Sequence, residues 1–175
     1  MERTAAILIR KIPFSETTVL CTWISEQYGK IKTSARGARN FRSHFQGRLE
    51  LFYEVDICFE RSQKSDLYPL QEACTLLPFA AREISYFNFI LAAYFSELAG
   101  AVLPILDAAT PEVFDLLRGG LRYLRKFPAS LYVLTKFESN LCRIVGIGGD
   151  PVDALENYCG RLPRTRAAVC HALQA

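Results

Sequence analysis

Between Lys30 and Arg48 the chain carries Lys30, Lys32, Arg36, Arg39, Arg42 and Arg48 without one acidic residue, a local charge of +6 within nineteen positions. Cations at this density suit one kind of chemistry: they displace the counterions of a polyanion, and the released ions drive binding. After Gly37 the cations alternate with rings, in the order Arg39, Phe41, Arg42, His44, Phe45. Guanidinium groups grip phosphates while aromatic faces stack flat bases, so for the cations the pattern points to nucleic acid. For Phe41 and Phe45 two readings stand side by side, base stacking and docking onto a neighbouring domain.

A second, shorter stripe is formed by Arg118, Arg122 and Arg125, which lie three or four residues apart on one face of an expected helix. It reads either as an ordinary solvated helix face or as the rim of a site for a partner.

Catalytic apparatus is sparse. The two histidines, His44 and His171, belong to no HExxH motif, and the chain has no GxSxG, no phosphate loop and no GxGxxG following a strand. Gly146-Ile147-Gly148-Gly149 follows a helix and reads as its stop. Glu54 and Asp56 lie two apart on an expected strand, a spacing that puts both on one face, and that face reads as solvated. Cys159, Cys170 and His171 supply three metal ligands where a closed zinc site takes four, and Cys142 lies in the apolar run NLCRIV. The expectation is a protein that is not an enzyme and has no cofactor and no functional zinc.

The elements that must carry these residues fall into two kinds. Thr4 to Arg10, Thr17 to Ser25, Lys30 to Ala35, Leu49 to Phe59 and Leu67 to Ala73 read as strands from their β-branched and aromatic content and their turn signals. On the third of these the period of two puts Lys30, Lys32 and Ser34 on one face and Ile31, Thr33 and Ala35 on the other. Five short strands in about 70 residues suggest a small closed barrel, because closure hides the edges an open sheet would expose. Beyond Pro78 the period changes to about 3.6. Ile84, Phe87, Leu91, Tyr94, Leu98 and Val102 predict a central helix, and Thr110-Pro111-Glu112 opens a second with Val113, Leu116, Leu117, Leu121 and Leu124 on its apolar face. A third runs from Ser130 to Val145 and buries Val133, Phe137, Leu141 and Ile144. The fold class is α+β, with a barrel over residues 1–77 and an α-helical domain over 78–175.

Composition agrees. With 175 residues, half of them apolar, the chain can bury a proper core without staples, and intrinsic disorder is excluded as its dominant state. Its net charge of +3 says little beside the local +6. The six cysteines lie mostly in apolar runs without a CxxC pair, as buried thiols do in a reducing compartment. The first residues lack the pattern of a secretory signal and the longest apolar stretch is too short to span a bilayer, so a cytoplasmic location away from any membrane is expected.

Phe14-Ser15-Glu16-Thr17, Gly29-Lys30 and Ala35-Arg36-Gly37-Ala38-Arg39, with Ser43, Gly47 and Leu49 behind them, resemble the N-terminal half of RecO, the bacterial recombination mediator. Glu97-Leu98, the run Pro111 to Leu117, Phe137-Glu138 and Gly146 are similar to that family's helical part. The resemblance covers residues 3 to about 160 and implies an OB-fold barrel followed by helices. It implies a non-enzymatic DNA repair activity: binding single- and double-stranded DNA, annealing complementary strands, and helping RecA replace single-strand binding protein (SSB) together with RecR. A nucleoid-associated cytoplasmic location goes with that work. The acidic, apolar-ended C-terminal tail of SSB is an implied partner, expected beside Arg118, Arg122 and Arg125. Of the paired cysteines that many family members carry for a zinc element, only Cys159-Gly160 has a counterpart, so no metal is carried over; the chain also ends early for the family. The alternatives are an OB-fold protein-interaction adaptor without direct DNA binding and an RNA-binding OB domain of another pathway.

Overall fold

Ala6, Ile7 and Leu8 are all buried, although alternate residues of a strand point to opposite faces. Both faces of this strand must therefore be covered. In the computed structural model, which describes residues 1–62, 65–80, 83–104 and 110–174, Ala6 and Leu8 enter the interior of a barrel while Ile7 joins the core of a helical bundle. The strands are β1 (Glu2–Pro13), β2 (Val19–Ser25), β3 (Gly29–Ala35), β4 (Glu54–Phe59) and β5 (Leu67–Leu77). They close in the order β1-β2-β3-β5-β4, with β3 and β5 parallel and the other pairs antiparallel. This is the expected OB-type barrel.

Its interior is filled by Trp23, Ile31, Val55, Ile57, Phe59, Tyr68 and Leu70. The one polar end of Trp23 is satisfied there, since its Nε1 donates to Thr33 Oγ1 at 2.8 Å. On β1 the register slips between Leu8 and Arg10, so Ile9 is an extra residue that lets the strand bend around the barrel. Ile9 then reaches helix α1 (Tyr86–Val102) at Gly100, where an added Cβ would lie 2.9 Å from the Ile9 Cδ1. Glycine is what allows helix and barrel to approach so closely.

Around α1 pack α2 (Pro111–Leu124), α3 (Leu131–Val145), α4 (Pro151–Cys159) and α5 (Thr165–Gln174). Leu91, Tyr94, Phe95, Leu98, Ala99 and Val102 of α1 are buried, as the central helix should be. Phe95 stacks on Phe137 of α3 with centroids 3.8 Å apart. Asn88 pins the turn between α2 and α3: its Nδ2 donates to the carbonyls of Leu124 and Phe127, and its Oδ1 accepts from the Ala129 amide at 2.8 Å. Two buried carboxylates hold the bundle to itself and to the barrel. Glu138 of α3 accepts from Tyr94 and Arg166 at 2.6 and 2.7 Å, and Glu54 of β4 accepts from Arg122 of α2 at 2.8 Å. Burial and the bond to Glu138 push the Tyr94 hydroxyl well above its ordinary value, so it remains a donor at any working pH.

Three sequence expectations need correction. Glu54 is buried at 7% exposure instead of lying on a solvated face with Asp56, because α2 covers the outer side of β4 at that point and answers the carboxylate with Arg122 and Arg118. The fourth strand begins at Glu54 and not Leu49, since residues 49–53 form turns; the fifth runs on to Leu77. Cys74 is exposed on β5, while Cys21, Cys58 and Cys142 are buried and all six thiols are free. Burial pushes the Cys21 thiol up to about 12, which keeps it protonated and unreactive. Helices α4 and α5 were not foreseen, although Asp150-Pro151 is a start signal and the Asp150 carboxylate indeed caps the Val152 and Asp153 amides. They are short, and of their residues only Leu155 and Val169 are fully buried, too little for a periodic signal. Among the described residues no helix is long and apolar enough to cross a membrane.

β5 ends at Leu77 and α1 begins at Tyr86, and apolar packing runs between barrel and helices. Ile7, Ile24, Phe52 and Phe79 belong to the same apolar cluster as the helices. Phe52 takes a positive φ of 67°, a costly conformation for a side chain of this size, and in return its ring meets Phe79 and Phe89 edge-on at 5.5 and 5.4 Å.

Candidate nucleic-acid interface

β3 carries the first two cations of the basic stretch on the outer face of the barrel, since Ile31, Thr33 and Ala35 occupy the interior. Lys32 is exposed. Lys30 is half-buried: its Nζ donates to the Gly100 carbonyl at 2.6 Å, and burial together with Lys32 lowers its pKa. It fastens barrel to helix as well as adding charge.

After Ala35 the chain runs through residues 36–53 in a series of turns. Amide bonds from Asn40 to Gly37, Ser43 to Asn40, Gln46 to Ser43 and Arg48 to Phe45 order it. Gly37 and Gly47 adopt φ of 72° and 70°, the left-handed conformation such reversals need. This ordering displays Arg36, Arg39, Arg42 and Arg48 on the surface. Arg39 also ties the segment to the β1–β2 turn, its amide donating to the Thr17 carbonyl and its Nη1 to that of Ser15. Arg48 donates to the Ala73 carbonyl at 3.0 Å. A guanidinium has five donors in all, so both keep donors for a phosphate.

The two phenylalanines part company. Phe45 is 3% exposed and docks into the barrel's own core, not onto the helices. Phe41 is 87% exposed between Asn40 and Arg42. A second ring, Phe14, is 68% exposed in the adjoining β1–β2 turn; the sequence marks it only as part of the family pattern, because a lone phenylalanine after a strand carries no stacking signal. Unstacked bases meeting this surface would find two rings between guanidinium groups. Accordingly, Phe41→Ala is expected to weaken binding of a single-stranded oligonucleotide about fivefold or more, on the ~1 kcal/mol lower bound for one stacked base, and to leave duplex binding unchanged. Equal losses on both substrates in an anisotropy titration would show that Phe41 does not stack.

The second stripe lies elsewhere. Arg122 and Arg118 face Glu54 across the junction of barrel and helices, with nitrogen to oxygen distances of 2.8 and 3.8 Å. With Arg125 they line a space of only about 10 Å³, too small for any side chain. A roomier groove of about 300 Å³ opens between α2 and α3, lined by Phe95, Leu116, Tyr123, Tyr132, Phe137 and Lys136. Among the described residues no three His, Cys, Asp or Glu side chains gather as metal ligands.

Comparison with known proteins bears on the same residues. The family model described as the N-terminal part of recombination protein O matches residues 1–79. The chain is 30% identical over 170 residues to the DNA repair protein RecO of Syntrophobacter fumaroxidans, covering 96% of this chain and 65% of that protein. It is 28% identical over 163 residues to the RecO protein of Vibrio parahaemolyticus, covering 86% and 64%, and 26% identical over 144 residues to that of Syntrophus aciditrophicus, covering 82% and 55%. The chain thus spans between about half and two thirds of the length of these relatives.

Proposed function

Because the chain belongs to the RecO family, we propose that it is a DNA repair protein that acts without catalysis, binding single- and double-stranded DNA, annealing complementary strands, and helping RecA onto SSB-coated DNA with RecR. The observation that carries this reading is the ordered basic segment from Arg36 to Arg48, displayed on a family-matched barrel with no carboxylate among its cations. Annealing asks little more of a surface than this. Two phosphate chains must be brought together against their repulsion, and a cationic face supplies the screening while the bases stay free to pair. Nothing in that process needs a nucleotide cofactor.

The test is annealing of complementary oligonucleotides without ATP, with and without SSB coating. Acceleration in both conditions supports the reading. No acceleration, together with no salt-dependent binding to single- or double-stranded DNA, would favour the adaptor.

For the SSB tail the groove between α2 and α3 is the better seat. A tail with acidic residues and an apolar end wants apolar walls beside a cation, and the groove combines exposed Tyr123 and Tyr132 with Lys136, whereas Arg118 and Arg122 are engaged with Glu54. Lys136→Glu should lower the affinity for a tail peptide several-fold with no change in melting temperature. Unaltered binding in that titration removes the seat.

A further inference from the structure

Between the outer face of the barrel and α1 lies a cleft of about 630 Å³. Its barrel side is a row set by the strand register: Arg10 of β1 pairs with Thr22 of β2, and Thr22 pairs with Lys32 of β3. Directly paired residues project on one face about 5 Å apart, so a cation, a hydroxyl and a cation stand in line across three strands. Lys30, bonded to the Gly100 carbonyl, closes the same wall. The helix side contributes Ser96, which is 1% exposed and whose Oγ has no hydrogen-bond partner. A helical serine ordinarily answers its own need by bonding a carbonyl one turn back; this one does not, and a buried hydroxyl without a partner costs stability unless something fills the place. The single carboxylate of the lining, Glu97, is occupied, accepting from Thr165 Oγ1 at 2.7 Å.

We propose that this cleft is a phosphate seat, distinct from the basic loop, through which a bound nucleic-acid strand continues from the barrel onto the helical part. The proposal rests on the DNA-binding reading above. None of the residues lining the cleft is aromatic, so it has nothing on which to stack a base and takes the backbone. Arg10 supplies the guanidinium fork that matches a phosphate, Lys32 a point charge at the other end of the row, and Ser96 a donor from the floor. Along β3 the outward residues Lys30, Lys32 and Ser34 lead directly to Arg36, which makes cleft and loop one continuous path.

The experiment is an anisotropy titration of a labelled oligothymidylate against the full chain over a series of salt concentrations, with thermal shifts in inorganic phosphate as a second arm. One phosphate contact to a single strand contributes about 0.7 to the salt slope, so Arg10→Ala is expected to flatten the slope by that amount and weaken binding about fivefold at 0.1 M salt, with Arg10→Lys restoring the slope. Ser96→Ala should weaken binding two- to threefold without lowering the melting temperature, since its hydroxyl holds nothing in the free protein. If Arg10→Ala and Lys32→Ala both leave slope and affinity untouched while loop substitutions still flatten the slope, the cleft proposal is overturned and the DNA reading stands. If loop substitutions change nothing either, the DNA reading itself has failed. Stabilisation by inorganic phosphate that Arg10→Ala abolishes, with oligonucleotide binding intact, would make the cleft a site for a free phosphate and overturn the strand path.

Discussion

Replacing Arg36 and Arg42 together with alanine is expected to flatten the dependence of log K on log salt for single-stranded DNA by about 1.4, and adding Arg39→Ala by about 2, at roughly 0.7 per phosphate released. If the affinities of variant and parent converge near 1 M salt, the triple substitution costs about a hundredfold at 0.1 M. The loss should be equal for unrelated sequences, because phosphate contacts carry no base information. The double variant isolates charge from architecture, since Arg39 alone of the three bonds the neighbouring turn through Ser15 and Thr17. Unchanged slopes in a salt titration of the double variant, with the melting temperature intact, would show that the strand takes a route that avoids the loop.

The largest stability effect belongs to Glu138. Its carboxylate is 1% exposed and receives Tyr94 and Arg166 from two other helices. Glu138→Ala leaves a guanidinium and a phenol in the bundle with no acceptor, a loss of about 3 to 5 kcal/mol for a buried pair with one partner removed. Arg166 keeps 23% of its side chain in solvent, which places the cost at the lower end, near 3 kcal/mol. For a chain of this length that is roughly a 6 to 12 °C fall in melting temperature. Removing all three polar partners, as in Glu138→Leu with Arg166→Met and Tyr94→Phe, should recover most of it, because apolar replacements of like volume satisfy themselves and no buried hydroxyl is left without an acceptor. A single substitution that melts with the parent would mean that water already shares this carboxylate. DNA binding at the barrel should survive Glu138→Ala below its melting temperature, the loop being held by its own turns.

Much of the architecture is legible in residue order. The period-two segments gave five strands and the 3.6 period three helices, because burial of one face writes itself into spacing wherever a segment is long and single-sided. Ser130 and Gly146 start and stop α3 as their chemistry requires, the serine side chain accepting from the Val133 amide and the glycine taking a φ of 74°. Legibility fails where an element is covered twice. Ala6-Ile7-Leu8 has no alternation, since the barrel takes one face and the helices the other.

The candidate site divides along the same line. Which residues are cationic, that no acid dilutes them from Lys30 to Arg48, and that β3 presents Lys32 outward while burying Ile31 and Thr33 are matters of composition and local period, and the sequence by itself determines them. Which cations are available is not local. Lys30 is drawn to the Gly100 carbonyl and Arg122 to Glu54, partners 70 and 68 positions away. Phe41 and Phe45, four residues apart in the same loop, end in solvent and in the barrel core, because the turns between them point one ring inward and the other out. Charge and period are properties of neighbours in sequence. Burial, pairing and the row of Arg10, Thr22 and Lys32 depend on the closure of the barrel and the docking of α1 and α2 onto it, and only the tertiary structure decides them.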